Sequence, residues 1–340
     1  MLNDACDWDD EELEYLDICP VCGCTERKIL YSELIDNVFF VSGGKWNMYS
    51  CIECQSAYLD PRPRLSAIDK AYSRYYTHKS EESVELIENN INKQIKNRLE
   101  NGYTNFRYGS KKIPYSYFGL IYGYIISSIN SYLDAQYRYL LKPKNNKYLL
   151  DIGSGNGDYL IKANEAGWLG VGIEPDSKAS EIAKKRGLYI YEGTIDLFDT
   201  KKNVYDAITI SHVLEHVHNP KILIDSIYRL LKPNGILYLD TPNIDSYGAK
   251  KFGKNWRGIE APRHLILFNN KSVKLLLTTC GFVDIKFMRR TDVRQGIINS
   301  SMKIAGLQHK SNLFSEIFSL VMQLFVKTPH MEYITLIARK

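Results

Sequence analysis

No run of apolar residues approaches the ~18 that a membrane-crossing helix needs, and no internal repeat divides the 340 residues. The first 18 residues contain eight acids and neither Lys nor Arg, so a cleavable secretion signal, which begins basic, is not visible. A concentrated basic stripe is also missing. Setting those eight acids aside raises the net charge from +5 to about +13 for the remainder, but that charge is diffuse. Its longest cluster, AKKRG at Ala183 to Gly187, fits the solvated face of a helix better than a nucleic-acid surface. The expectation is a cytoplasmic globular chain with one large core and a smaller unit.

Cysteine is scarce except at one place. Four of the seven stand in two pairs, Cys19 and Cys22 in CPVC and Cys51 and Cys54 in CIEC. Two such knuckles hold tetrahedral Zn(II) through four thiolates, and a small loop-rich unit needs a staple of this kind. Disulfides are the competing reading, and no secretion signal supports them. Cys24 is a weaker substitute for Cys22, while Cys6 and Cys280 read as packing residues.

The segment YLLDIGSGNGDYL, Tyr148 to Leu160, is an apolar strand that breaks into three alternating glycines. A dinucleotide loop would need a glycine where Asp158 stands, and a carboxylate at the helix opening repels a pyrophosphate. A P-loop would need a following lysine, which is absent. The loop therefore suits a ligand without phosphate. S-adenosylmethionine carries a sulfonium and an ammonium, and Asp151 ends the strand where such a cation gains from a carboxylate. WLGVGIEPD, Trp168 to Asp176, reads as the next strand, and Glu174 at its end is placed to accept both ribose hydroxyls.

Around this loop the chain divides into an acidic tail over 1–14, a zinc ribbon over 15–62, a mainly helical connecting or cap region over 63–145 and a cofactor-binding domain over 146–340. The prolines of YLDPRP, Tyr58 to Pro63, close the ribbon. Tyr115 to Ile129 is aromatic-rich, read as a packed helix or as an interfacial one. Strands at 148–152, 169–174, 188–191, 205–210 and 235–240 alternate with helices at 157–166, 177–186 and 220–231, as a parallel sheet requires. KPNG, Lys232 to Gly235, stops the last helix. GFVDIKFMRR and EYITLIARK suggest a closing antiparallel pair, with a helical insertion at about 291–331 that includes Leu313 to Phe325.

The motifs LLDIGSGNG, GVGIEPD, YDAITISHVLEHVHNP, LLKPNGILYLDTPN and WRGIEAPRHLILF resemble class I S-adenosylmethionine-dependent methyltransferases of types 11 and 23. The likeness is particularly to bacterial members that carry an N-terminal zinc ribbon, which often lie among enzymes of surface-polysaccharide and sugar modification. The resemblance implies a Rossmann-like α/β sheet, mostly parallel with a closing antiparallel strand, plus the ribbon and helical insertions. It implies that Asp151, Gly153, Gly155 and Gly157 line the methionine end, that Glu174 holds the ribose, and that Gly193 and Thr194 flank the adenine. Ser211 joins this cofactor set. Many relatives have Asp in place of Thr194.

His212, Glu215 and His216 in SHVLEHV share the H-x-x-E-H spacing of some zinc peptidases. A segment that follows a sheet strand and lacks a third ligand argues against that reading. Ubiquinone-pathway O-methyltransferases carry Glu, Glu and His here and can hold a divalent cation; the alternative is that Glu215 and His216 bond nearby backbone. His264 in APRHL reads as the base that takes a substrate proton, with His216 as the second candidate and a lid-anchoring role for Arg263 and His264 as the bland reading. The expected activity is O-methylation of a sugar, nucleotide-sugar or glycan intermediate, soluble or lipid-linked, with peripheral contact to the inner face of a membrane left open. The rivals are an RNA methyltransferase, although no N-P-P-[YF] signature is present, and a methyltransferase-fold binding protein without turnover.

Overall fold

The computed structural model describes residues 8–72, 91–125, 127–307 and 328–340. Short strands come first: β1 (Leu13–Glu14), β2 (Arg27–Leu34), β3 (Trp46–Cys51), β4 (Ala57–Leu59) and β5 (Arg62–Pro63). Three helices follow, α1 (Ile91–Tyr108), α2 (Gly119–Ile125) and α3 (Ser127–Gln136). Strands and helices then alternate as β6 (Lys147–Ile152), α4 (Asp158–Glu165), β7 (Trp168–Glu174), α5 (Ser177–Lys185), β8 (Tyr189–Glu192), β9 (Tyr205–Ser211), α6 (Pro220–Leu230) and β10 (Leu231–Pro242). The chain ends with α7 (Tyr247–Phe252), β11 (Ile266–Leu267), α8 (Asn270–Thr279), β12 (Val283–Met288), α9 (Arg294–Ile304) and β13 (Tyr333–Arg339).

The large sheet has the order β12-β13-β10-β9-β6-β7-β8. β6 pairs in parallel with both β7 and β9, and β7 with β8. Leu149, Leu150 and Ile152 of β6 are all buried, the continuous apolar pattern of a strand covered on both faces. Asn234 N–H donates to Lys340 O, and Asn243 N–H donates to Glu332 O. The start of β10 therefore faces the end of β13 and the reverse, so β13 runs antiparallel. The expected closing strand is present. β10 begins directly after α6, four residues earlier than expected. KPNG lies inside it, because Lys340 closes on this stretch through a bond from its N–H to Gly235 O and from Nζ to Leu231 O.

Among the described residues the fold forms two compact units. One comprises Met1–Tyr75, Ser211–Tyr228 and Leu239–Ala338. Its antiparallel sheet has the order β11-β4-β3-β2, and β11, from the segment after APRH, pairs with β4 through Ile266↔Tyr58 and Leu267↔Ala57. Trp46, Met48, Leu59, Phe252, Trp256 and Leu267 share its core. Pro63 does not end the strands: β5 pairs with β1 as a two-residue edge, where a missing N–H is tolerated.

The other unit comprises Tyr76–Ile210, Arg229–Tyr238 and Arg339–Lys340. Tyr103, Tyr108, Tyr137, Leu149, Leu160 and Trp168 form its core. The stacked rings of Tyr108 and Tyr137, 4.6 Å apart, join α1 to the turn after α3. α9 supplies part of the expected insertion; Leu313 to Phe325 lies outside the described residues.

Candidate active site

The glycine loop after β6 is shaped by its backbone. Gly155 has φ +53° and Gly157 φ +84°, values that favour glycine. A Cβ on Gly157 would overlap Leu188 Cδ1, whereas a Cβ on Gly155 would meet no atom within 4 Å. The loop is therefore packed behind and open in front. Gly155 N–H donates to Glu174 Oε2 at 2.7 Å, and Asp176 N–H donates to Glu174 Oε1 at 2.9 Å. Each carboxylate oxygen keeps a lone pair for a further donor. Burial raises the Glu174 pKa. Gly193 N–H donates to Glu174 O, bringing the turn after β8 to the end of β7. The exposed Thr194 hydroxyl donates to Asp196 Oδ2 at 2.7 Å. Gly153 N–H donates to Ile173 O, and Ser211 is the last residue of β9.

Asp151 is where the sequence puts it, but its charge is not free. Its Oδ1 pairs with the Arg138 guanidinium and accepts from Thr209 Oγ1. Arg138 lies 3.7 Å from the centroid of the Tyr159 ring and stands with Tyr139 in consecutive left-handed conformations, φ +50° and +55°. Two adjacent non-glycine residues there are costly unless packing enforces them. Burial lifts the Asp151 pKa against the pull of Arg138. Asp151 Oδ2 is buried with no hydrogen-bond partner. The free anion expected for the cofactor cation is thus half of an ion pair with one open acceptor. An open acceptor, an open-fronted glycine turn and a carboxylate with spare lone pairs fit a ligand with an ammonium and two ribose hydroxyls.

The histidines gather in the first unit. A cavity of about 280 Å³ is lined by His212, His216, Arg257, Glu260, His264 and Tyr333, with Pro242, Gly258, Ile297 and Ser300. The rings of His216 and His264 stand edge to face, 4.8 Å between centroids. His264 Nδ1 lies 2.7 Å from Gly258 O, and His216 Nδ1 lies 3.0 Å from Arg263 O and 2.9 Å from the Tyr72 hydroxyl. A carbonyl only accepts, so the neutral rings carry their proton on Nδ1 and leave Nε2 as an acceptor. Burial pushes the His264 pKa down to about 4, against the pull of Glu260.

Glu215 stands beside three of the histidines that line this cavity, His212, His216 and His264. It is fully buried, accepts from His212 Nδ1 at 3.2 Å and from Thr241 Oγ1 at 2.8 Å, and its backbone carbonyl accepts from Leu265 N–H. Burial raises its pKa, but the His212 bond and the imidazoles of His216 and His264 outweigh it and hold it at about 2. His212 adopts φ +56°, with its Nε2 3.5 Å from Asp240. The metal-competent trio is Glu215, His216 and His264, with donor atoms within 4.8 Å of one another; His212 is not part of it. Sequence reading assigned no role to Glu260, Thr241 or Arg138; the first two lie inside motifs that carry the resemblance, and Arg138 lies in none.

Arg263 is wholly buried and bonds Asp36 through two nitrogens, at 2.8 and 3.2 Å. Asp36 also accepts from the N–H groups of Phe39, Val41 and Ser42. Burial raises the Asp36 pKa, but Arg263 and these amides outweigh it and hold it at about 2. The loop bearing His264 is fixed to the N-terminal segment through this pair.

Cys19, Cys22, Cys51 and Cys54 converge, with donor atoms within 4.8 Å of one another. Sγ of Cys19 and Cys54 lie 3.6 Å apart and those of Cys22 and Cys51 3.5 Å apart. That spacing is too long for a disulfide and close to the edge of a tetrahedron with ~2.3 Å Zn–S bonds. Asn269 Nδ2 donates to Cys54 O and Gln55 O, so the cap of α8 also clamps one knuckle.

Residues 127–286 match the model of a family described as "Methyltransferase domain". This part of the chain is similar to that family. The chain is 34% identical over 108 residues to a ubiquinone biosynthesis O-methyltransferase of Haemophilus ducreyi, covering 28% of this chain and 46% of that one. It is 34% identical over 114 residues to a tRNA U34 carboxymethyltransferase of Helicobacter pylori, covering 31% and 44%. The chain therefore spans about half the length of these curated relatives. A solved SAM-dependent methyltransferase from Archaeoglobus fulgidus is 19% identical, covering 66% of this chain and 100% of that one, with a TM-score of 0.44.

Proposed function

We propose that the chain transfers the methyl group of S-adenosylmethionine to a hydroxyl of a small polar acceptor. A sugar, nucleotide-sugar or glycan intermediate, soluble or lipid-linked, is the preferred class. Gly153, Gly155, Gly157 and the open oxygen of Asp151 take the methionine end, Glu174 takes the ribose, and Gly193, Thr194 and Ser211 complete the cofactor set. Methyl transfer is an in-line displacement, so the protein's tasks are alignment, exclusion of water and removal of one proton. The observation that carries the acceptor reading is the cavity with two imidazole Nε2 acceptors among Arg257, Glu260, Ser300 and Tyr333. His216, less buried than His264, takes the proton; His264, neutral at pH 7, orients the acceptor and is the alternate base. The four cysteines hold a structural Zn(II).

A second reading has its own observation. Both imidazoles donate Nδ1–H to backbone carbonyls, the arrangement that orients metal-ligating histidines, beside an ionised Glu215. In that reading Glu215, His216 and His264 would hold a divalent cation, which would supply Lewis-acid polarisation of the acceptor hydroxyl. Incubation with methyl-labelled cofactor and a panel of sugar nucleotides, lipid-linked glycans, phenols and RNA tests the proposal. Label in a sugar or glycan supports it. Label in RNA alone replaces the acceptor class, and cofactor binding without transfer to any acceptor leaves a binding protein. Chelation at a concentration that spares the cysteine site separates base from cation.

A further inference from the structure

The charge of this protein is not diffuse in three dimensions at one place. Residues 91–125 contain six basic side chains and one acid, Glu100, and Lys93, Arg98 and Lys111 are exposed. The same stretch exposes a disproportionate share of the large apolar side chains, with Ile113 83%, Tyr117 74%, Phe118 71% and Ile121 58% exposed. The cause lies in the helix contact. A Cβ on Gly102 would run into Ser116 O, and one on Gly119 into Leu99 O. α1 and the segment leading into α2 therefore meet backbone to backbone through glycines. Phe118 and Leu120, on either side of Gly119, are exposed, whereas Tyr103 beside Gly102 is buried. Phe106 and Tyr117 lie 6.1 Å apart, and Tyr115 and Tyr117 5.3 Å, so the rings form one surface patch. Phe118, just before α2, and Ile121 within it stand three residues apart and are both exposed.

We propose that this patch docks the protein on an anionic lipid surface. Exposed aliphatic and aromatic side chains on the same stretch as exposed lysine and arginine are what an interfacial segment needs: the apolar groups enter the acyl boundary and the cations meet the headgroups. No helix among the described residues is long and apolar enough to cross a membrane, so the contact is peripheral. A second copy of the chain would bring two strongly basic patches together, which the charge opposes. RNA would use the cations and the rings, but it gains nothing from Ile113, Leu120 and Ile121.

The test is co-sedimentation of the full chain with phosphatidylcholine vesicles that contain or lack phosphatidylglycerol. Binding should require phosphatidylglycerol and weaken with salt. Phe118→Ser with Ile121→Ser should cut partitioning by about tenfold or more, and Lys111→Glu should weaken it severalfold. Both side chains are exposed, and unchanged S-adenosylmethionine affinity in the variants reports an intact fold. A Phe118→Trp reporter should shift blue and be quenched by brominated lipid. Equal partitioning of wild type and the double variant, or no binding to anionic vesicles, overturns the proposal. So does wild-type self-association, or RNA binding without vesicle binding, that the same substitutions abolish.

Discussion

Glu174 accepts the backbone N–H of Gly155, 2.7 Å away and 19 residues earlier in the chain. This bond closes the glycine loop onto the end of β7 and leaves the carboxylate a lone pair on each oxygen. Glu174→Ala removes an ionised acceptor whose ribose bonds are worth roughly 1.5–3 kcal/mol each. Affinity for S-adenosylmethionine and S-adenosylhomocysteine should fall together, because both carry the ribose. Calorimetry that finds either affinity unchanged removes Glu174 from the cofactor site.

His216→Ala and His264→Ala should both bind S-adenosylmethionine as the wild type does. Loss of the base lowers turnover by a factor of ~10²–10⁴, with His216→Ala the more severe. If the acceptor ionises by itself, raising the pH recovers part of the loss. Single-turnover rates that are normal in both variants would mean that alignment alone drives the reaction.

His264 is neutral in the folded chain down to a pKa of about 4, because burial opposes its charge. In the unfolded chain it titrates near the ordinary histidine value of 6.5. Between those values the unfolded chain binds more protons, so stability falls as pH drops from about 6.5 towards 4. A fully expressed shift of this size corresponds to roughly 3 kcal/mol. His264→Gln should flatten the fall in melting temperature across that window. A parallel decline in wild type and variant would show that His264 does not cause it.

Arg263→Met should destabilise the N-terminal unit by about 3–5 kcal/mol, because it leaves Asp36 buried and charged without its partner. Replacing both, with Asp36→Asn added, should recover part of that loss. Urea unfolding with additive effects in the double variant would contradict the pairing.

One zinc per chain is expected by elemental analysis, with Cys54→Ser lowering both zinc content and the stability of the ribbon, because the binding energy of such a site is folding energy. Freshly purified protein with no zinc and with those thiols in disulfides would contradict the assignment.

The parallel sheet, Glu174 and the glycine loop were legible because each has a local signature: an apolar run, a spacing, a glycine where φ turns positive. Arg138 was not legible. It reaches Asp151 from a turn 13 residues earlier, and nothing in AQYRY distinguishes a buried cation from a surface one. β11 was hidden for a related reason. Two residues carry no period, and their pairing with β4 spans the chain from Tyr58 to Ile266. His264 could be named as a residue of interest, but its burial and the carbonyl that fixes its tautomer depend on how residues 258–264 fold back on themselves.

The most direct test of the account follows label from the methyl group of S-adenosylmethionine in wild type, Glu174→Ala and the His216→Ala His264→Ala double variant. The account expects labelled O-methyl product and S-adenosylhomocysteine in equal amounts from wild type. It expects normal binding with little product from the histidine variant, and weak binding from Glu174→Ala that high cofactor concentration partly rescues. Product formation at the wild-type rate in both variants would contradict it.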